Sequence, residues 1–340
     1  MNSVPASCLG GCSALTAETR DGIHLFARNY DFPANSQASV LVIPRETPLQ
    51  LLQHAHGNTQ ISARYSALGV GNTQYATPIL FDGVNEKGLC GAMLNYPGYA
   101  VYETNAQASH LVSPAFYLTI LLTTCASIDE ADAFLQDFDF SNEEIISGVK
   151  MPIHYFLTDA SGEAVVIEPD AHGVNVYRHS IGVLTNAPSY PWHLTNLRNY
   201  LSVTPRQPDT ILLLGETLAP FGLGAGAHGL PGDFTPPSRF VRLAYIKNAL
   251  GIPTTERDGV TALCAALENV AMPRGFVHNA QGAIEETVYT SVMYAESGTY
   301  YLTPYTNRRL TAYTLEAEKD DALVKEYMFP LSQDVAMGNF

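Results

Sequence analysis

Two glycines stand directly before a cysteine in Leu9-Gly10-Gly11-Cys12, an order suited to an unusual way of making a nucleophile. A peptide bond flanked by glycine is unhindered, so the Cys12 thiol can attack the carbonyl just before it and cut the chain there. Cutting frees an α-amino group on Cys12. Such an amine has a reference pKa of about 7.7–8.0, near working pH, and can act as general base for the thiol of its own residue. Nucleophile and base then share one amino acid, and no histidine partner is required. Cys8 is a competing thiol, but it precedes the first extended segment.

That chemistry needs a scaffold around Cys12. Cys12 to Thr19 alternates roughly between apolar and polar, Asp21-Gly22 supplies a two-residue turn signal, and Ile23 to Asp31 runs extended, which predicts a β-hairpin. With Asp21 and Gly22 as the central turn residues, Cys12 falls opposite Asp31, thiol and carboxylate one strand spacing apart on one face. The same pairing could also be an accident of a sheet edge. Arg28 then has the wrong parity and faces the other way unless a bulge intervenes.

Further strands are predicted at residues 39–43, 66–70, 79–81, 88–94, 154–158, 164–168, 174–177, 181–185, 287–295, 299–304 and 310–315. Ser113-Pro114 starts a helix to Thr124, and Ser127 with Glu130 caps one that ends at Leu135. Residues 192–201, 236–250 and 260–270 form three more. Hairpins outnumber βαβ units, so the expected architecture is one α+β domain with helices covering antiparallel sheets.

Composition removes other classes. Lys+Arg number 18 against 33 Asp+Glu, a net charge of −15, which offers no electrostatic footprint for nucleic acid or an anionic membrane. No run approaches the roughly 18 apolar residues of a membrane span, and the first eleven residues do not read as a secretory signal. The expected location is the cytoplasm. Five cysteines at irregular spacing fit reduced thiols, with Cys125 and Cys264 as core packing. The glycine-rich run at 221–229 follows no strand and opens no helix, so it fails as a nucleotide loop. The histidines, His54, His56 and His154 among them, make no metal set. No cofactor and no metal are expected, and no GxSxG elbow points to a serine hydrolase.

Cys12-Ser13-Ala14-Leu15 through Phe26-Ala27-Arg28-Asn29-Tyr30-Asp31-Phe32 resembles the opening of the choloylglycine hydrolase family, which contains bile salt hydrolases and penicillin V acylases. The resemblance continues through Asp82-Gly83-Val84-Asn85-Glu86-Lys87-Gly88-Leu89 and Leu94-Asn95-Tyr96-Pro97-Gly98-Tyr99. It resumes at Gly182-Val183-Leu184-Thr185-Asn186-Ala187-Pro188 and at Gly229-Leu230-Pro231-Gly232-Asp233-Phe234-Thr235-Pro236, and ends at Ser238-Arg239-Phe240. It implies a four-layered αββα sandwich of the N-terminal-nucleophile hydrolases, residues 1–11 removed as a propeptide, a single domain over 12–340, and a homotetramer. It further implies Cys12 as nucleophile with its freed amine as base. Arg28 and Asp31 would shape the site, Asn186 and the backbone N–H of Asn95 would hold the oxyanion, and Arg239 would complete the charged network. Taken singly, Asn186 could merely close a turn and Arg239 could be a surface charge.

The implied substrate is a small-molecule N-acyl amide. Leu157-Thr158-Asp159-Ala160-Ser161-Gly162-Glu163, Val166-Ile167-Glu168-Pro169-Asp170, Thr195-Asn196-Leu197-Arg198 and Val203-Thr204-Pro205 resemble penicillin V acylases, as does a short propeptide, and penicillin V acylase activity is the expectation. Asn95 is what bile salt hydrolases carry at its position, so hydrolysis of glycine or taurine conjugates is the alternative. An unprocessed, non-catalytic binding homologue is the alternative of another class.

Overall fold

The computed structural model describes residues 10–33, 38–54, 60–102, 111–145, 150–315, 323–330, 332–333, 335 and 337–338. Cys8, His56 and residues 1–9 of the expected propeptide lie outside the described residues.

Strand β1 (Cys12–Glu18) runs antiparallel to β2 (His24–Pro33). The connection is one residue longer than a two-residue turn. Thr19 N–H donates to Ile23 O at 2.9 Å, Gly22 N–H donates to Thr19 O at 3.0 Å, and Gly22 sits at φ +77°, a conformation glycine takes without a Cβ clash. This is the three-residue hairpin loop that ends in a left-handed glycine. The pairing therefore slips by one from the expected register. Cys12 stands opposite Tyr30, not Asp31, and Ala14 stands opposite Arg28. Because side chains alternate with period two, the slip exchanges the faces. Arg28 joins Cys12, and Asp31 moves to the other side. Both expectations drawn from the two-residue turn are corrected, and no bulge is needed between these strands.

Two antiparallel sheets carry the fold. The first orders Val183–Leu184, β1, β2, Ile284–Tyr294, Thr299–Pro304 and Thr311–Thr314, with Val277–His278 also paired to Ile284–Tyr294. The second orders Gly173–Tyr177, Ala164–Asp170, Ile153–Thr158, Cys90–Asn95, Ile79–Asn85, Ala67–Asn72, Ser39–Ile43 and Lys325–Tyr327. The sheets pack face to face: β1 and β2 touch Cys90–Asn95, and Ile284–Tyr294 touches Ile79–Asn85.

Helices close both outer faces. Helix α1 (Pro114–Thr124) lies on the second sheet, with α2 (Ile128–Asp137) beside it through Tyr117 and Phe134. From Pro114 to Thr123 every residue of α1 is buried, as a helix that is apolar all round must be. Ser127 accepts the Glu130 N–H at the start of α2, satisfying a donor that the helix cannot. Helix α3 (Tyr190–Asn196) packs against α4 (Pro236–Ala249), and α4 and α5 (Glu256–Glu268) cover the first sheet. The layers are α, β, β, α, an α+β sandwich. Cys125 is buried at the end of α1, and Cys264 is half-buried on α5. Among the described residues no helix is long and apolar enough to cross a membrane.

Candidate active site

Cys12 is the first residue of β1 and is 3% exposed. On its inner face, between the sheets, Arg28 Nη2 donates to Cys12 Sγ at 2.7 Å. Arg28 Nη1 donates to Phe81 O at 2.8 Å and to Met93 O at 3.3 Å, and its guanidinium lies over the Tyr30 ring. Burial pushes the thiol pKa up. Arg28 pulls it down, Asp31 pushes it up, and the Asp31 N–H and Arg239 pull it down. Burial also opposes the Arg28 charge, yet Cys12, Tyr289 and Asp82 hold its pKa above the ordinary value.

The helix-facing side of β1 holds a second set of groups. Arg239, in the first turn of α4, donates through Nη1 to Cys12 O and to Ser13 Oγ (2.6 Å), and through Nη2 to Asn186 Oδ1 at 2.7 Å. Asn186 closely follows Val183–Leu184, which pairs with β1. Its Oδ1 accepts the Cys12 N–H at 2.8 Å, and its Nδ2 donates to Asn95 O at 2.9 Å. Asn95 closes its strand and donates through Nδ2 to Gly10 O at 3.0 Å. Asp31 Oδ1 accepts the Thr287 hydroxyl at 2.5 Å, whereas Oδ2 is buried with no hydrogen-bond partner among the described residues. Arg239 Nη1 lies 3.9 Å from that oxygen. Burial pushes the Asp31 carboxyl up, against Arg239, Thr287 and Arg28.

The structure thus brings Cys12, Arg28, Asp31, Asn95, Asn186 and Arg239 into one cluster, but divides it between two faces. Arg28 serves the sulfur from the inter-sheet side, and Arg239 with Asp31 surrounds the backbone of Cys12 from the helix side. Sequence reasoning missed Ser13, Thr287 and His193, whose Nε2 is 2.8 Å from Asn186 O. It also missed Asp82, 3.3 Å from Arg28 Nη1, although Asp82 opens one of the recognisable segments.

The residues before Cys12 fit this cluster closely. Gly11 O accepts the Asp31 N–H at 2.9 Å. A Cβ on Gly10 would sit 2.5 Å from Phe32 Cδ2 and 2.7 Å from Asp31 O; one on Gly11 would sit 2.8 Å from Met272 Cε. Space therefore favours glycine most strongly at position 10, where a Cβ would meet the Asp31 backbone, whereas at position 11 the tightest neighbour is the flexible end of Met272. A thiol, a preceding carbonyl that accepts an N–H, and two flanking guanidiniums form an arrangement capable of amide cleavage.

The sequence matches the family of linear amide C–N hydrolases, choloylglycine hydrolase family, over residues 12–324. It is 32% identical over 94% of its length to a bile salt hydrolase/transferase from Clostridium perfringens, 97% of which is covered. It is likewise 32% identical over 92% of its length to a conjugated bile acid hydrolase from Lactobacillus gasseri, 98% of which is covered. A crystal structure of a mutant conjugated bile acid hydrolase from Clostridium perfringens superposes with a TM-score of 0.89, at 31% identity, covering 96% of this chain and 100% of that one. Penicillin V acylase from Agrobacterium tumefaciens shares the fold, with a TM-score of 0.72 at 19% identity, covering 93% of this chain and 90% of that one. The fold and the match define an N-terminal-nucleophile hydrolase. The chain belongs to the choloylglycine hydrolase family, and it is a linear amide hydrolase.

Proposed function

We propose that the chain is a precursor that cuts its own Gly11–Cys12 bond and then, as a single domain over 12–340, hydrolyses small-molecule N-acyl amides. The observation that carries this is the buried, unpartnered Asp31 Oδ2. It lies 3.3 Å from where a Gly11 Cβ would be, an acceptor in waiting for an amine that exists only after cleavage. In the cut, Cys12 Sγ adds to the Gly11 carbonyl carbon while the Asp31 N–H holds its oxygen. The C–N bond breaks, the Cys12 nitrogen leaves with the thiol proton, and water hydrolyses the thioester to release residues 1–11.

Turnover repeats the chemistry on a substrate. The Cys12 amine, held by Asn186 Oδ1, takes the thiol proton, and the sulfur adds to the amide carbon. The oxyanion is held by the Asn95 N–H and Asn186 Nδ2, each donor contributing about 2.7–4 kcal/mol. Collapse breaks the C–N bond, with the amine returning its proton to the leaving nitrogen; water then hydrolyses the thioester. Arg28 and Arg239 favour the thiolate against its burial.

The identities of 30–32% to bile salt hydrolases favour a conjugated bile salt as substrate. Penicillin V is the second reading, supported by the acylase-like segments at 157–163 and 166–170. Amine release from glycocholate and penicillin V, measured side by side on one batch, tests both. A preference for glycocholate supports the first, a preference for penicillin V replaces it, and release from neither overturns both.

Self-association, with a homotetramer as the expected state, is supported by a hairpin, Ile211–Leu213 paired with Glu216–Leu218, whose residues are all exposed. Leu214 at its tip is 98% exposed, and apolar surface of this kind marks an interface. Light scattering tests it: Leu212→Glu with Leu214→Glu should yield a smaller species, and an unchanged mass overturns it. Free Cys12, Cys90, Cys125 and Cys264 support a reducing, cytoplasmic location, tested by fractionation.

A further inference from the structure

Arg28 donates to the Cys12 sulfur from a position with no exposure at all, and a buried guanidinium needs compensating charge and fixed partners. Asp82, equally buried on the facing sheet, supplies both. Its Oδ2 lies 3.3 Å from Arg28 Nη1 and accepts the Tyr289 hydroxyl at 2.5 Å. Its Oδ1 accepts the Tyr300 hydroxyl and, at 3.4 Å, that of Ser291. An ionised carboxylate only accepts, so three hydroxyls and a guanidinium converging on one suit the charged form.

The path of the strand that supplies Tyr289 argues that this arrangement is built. Residues 287 and 289 of a regular strand would face the same way. The pairing of Ile284–Tyr294 with β2 shifts register between Thr287 and Tyr289, and such an irregularity re-aims side chains. Thr287 consequently bonds Asp31 on the helix side, and Tyr289 bonds Asp82 between the sheets. One strand thus serves both arginine networks.

We propose that Asp82, braced by Tyr289 and Tyr300, is a positioning residue for the reaction, holding the Arg28 guanidinium so that Nη2 stays on the Cys12 sulfur. This rests on Cys12 being the nucleophile. The carbonyls of Phe81 and Met93 restrain Nη1, and Asp82 adds the charge that keeps the whole group in place.

The test uses the processed enzyme with Asp82→Asn and Tyr300→Phe, each alone and combined with Arg28→Gln. Steady-state kinetics are measured together with Cys12 alkylation by iodoacetamide as a function of pH. Asp82→Asn should lower kcat by about tenfold or more with KM within about twofold, and should move the alkylation midpoint to higher pH. Tyr300→Phe, which loses a single hydroxyl and carries the test should Asp82→Asn not fold, should do the same to a smaller extent, about threefold in kcat. With Arg28→Gln present, neither should move the midpoint further. A midpoint moved to lower pH would mean that Asp82 acts only as an opposing negative charge. That result, an unchanged kcat, or an equal shift without Arg28 overturns the proposal. Turnover retained after Cys12 is alkylated would instead overturn the nucleophile assignment itself.

Discussion

Gly10→Ala should slow maturation without harming the mature enzyme. The added methyl would lie 2.5 Å from Phe32 Cδ2, 2.7 Å from Asp31 O and 3.0 Å from Asn95 Nδ2. The Phe32 ring can turn, but Asp31 O is backbone on β2 and cannot yield without disturbing the strand. The segment before Cys12 must therefore shift, and it takes with it the Asn95 contact to Gly10 O and the Gly11 carbonyl that the Asp31 N–H holds. Overpacking of this kind costs about 1–3 kcal/mol. Charged to the cleavage barrier, that is roughly 5- to 150-fold in rate. Intact-mass spectrometry during a pulse of expression would follow loss of residues 1–11 from both proteins. A second chain, starting at Met followed by Cys12, bypasses the step and should match the processed wild type in kcat. Cleavage of Gly10→Ala at the wild-type rate would refute the claim that Gly10 is needed for space. A kcat for the chain starting at Met and Cys12 well below that of the processed wild type would refute the claim that residues 1–11 serve maturation alone.

Cys12→Ala should abolish both cleavage and turnover, leaving an intact mass near the full 36.9 kDa; activity in that variant would refute the mechanism. Asn186→Ala removes an oxyanion donor and the acceptor of the Cys12 N–H, and should lower kcat by roughly 10²–10³; a kcat within a few-fold of wild type would move the oxyanion contact elsewhere. Burial lowers the His193 pKa from 6.5 to about 4, so the native state binds fewer protons than the unfolded chain below pH 6.5. The stability associated with a neutral His193 is thus complete above pH 6.5 and is lost as pH falls toward 4, an effect of order 3 kcal/mol. His193→Gln keeps a donor for the Asn186 carbonyl and should flatten the urea midpoint across that window; parallel pH profiles for variant and parent would refute the assignment.

Local signals explain why many elements were legible. Ser113-Pro114 and Ser127 with Glu130 mark α1 and α2 where they begin, because caps act within one turn of helix. A short apolar run at Ser39–Ile43 and the Tyr- and Thr-rich stretch Thr299–Pro304 are strands with the bounds expected. The hairpin Ile211–Leu213 with Glu216–Leu218 was not read as strand, since exposed leucines on both arms lack the half-buried alternation that marks one.

Sequence alone determined that a cysteine preceded by two glycines begins a strand, and that an arginine and an aspartate follow within the next one. The segments that carry the family resemblance also supplied Asn95, Asn186 and Arg239. Only the tertiary structure decided which face each occupies. That choice turned on a single residue of loop length at Arg20-Asp21-Gly22, since a slip of one exchanges the faces of a strand. Asp82, Tyr289 and Tyr300 were beyond reach for a related reason. They lie far apart in the chain and on two different sheets, and no spacing within one strand records that the facing sheet places a carboxylate against Arg28.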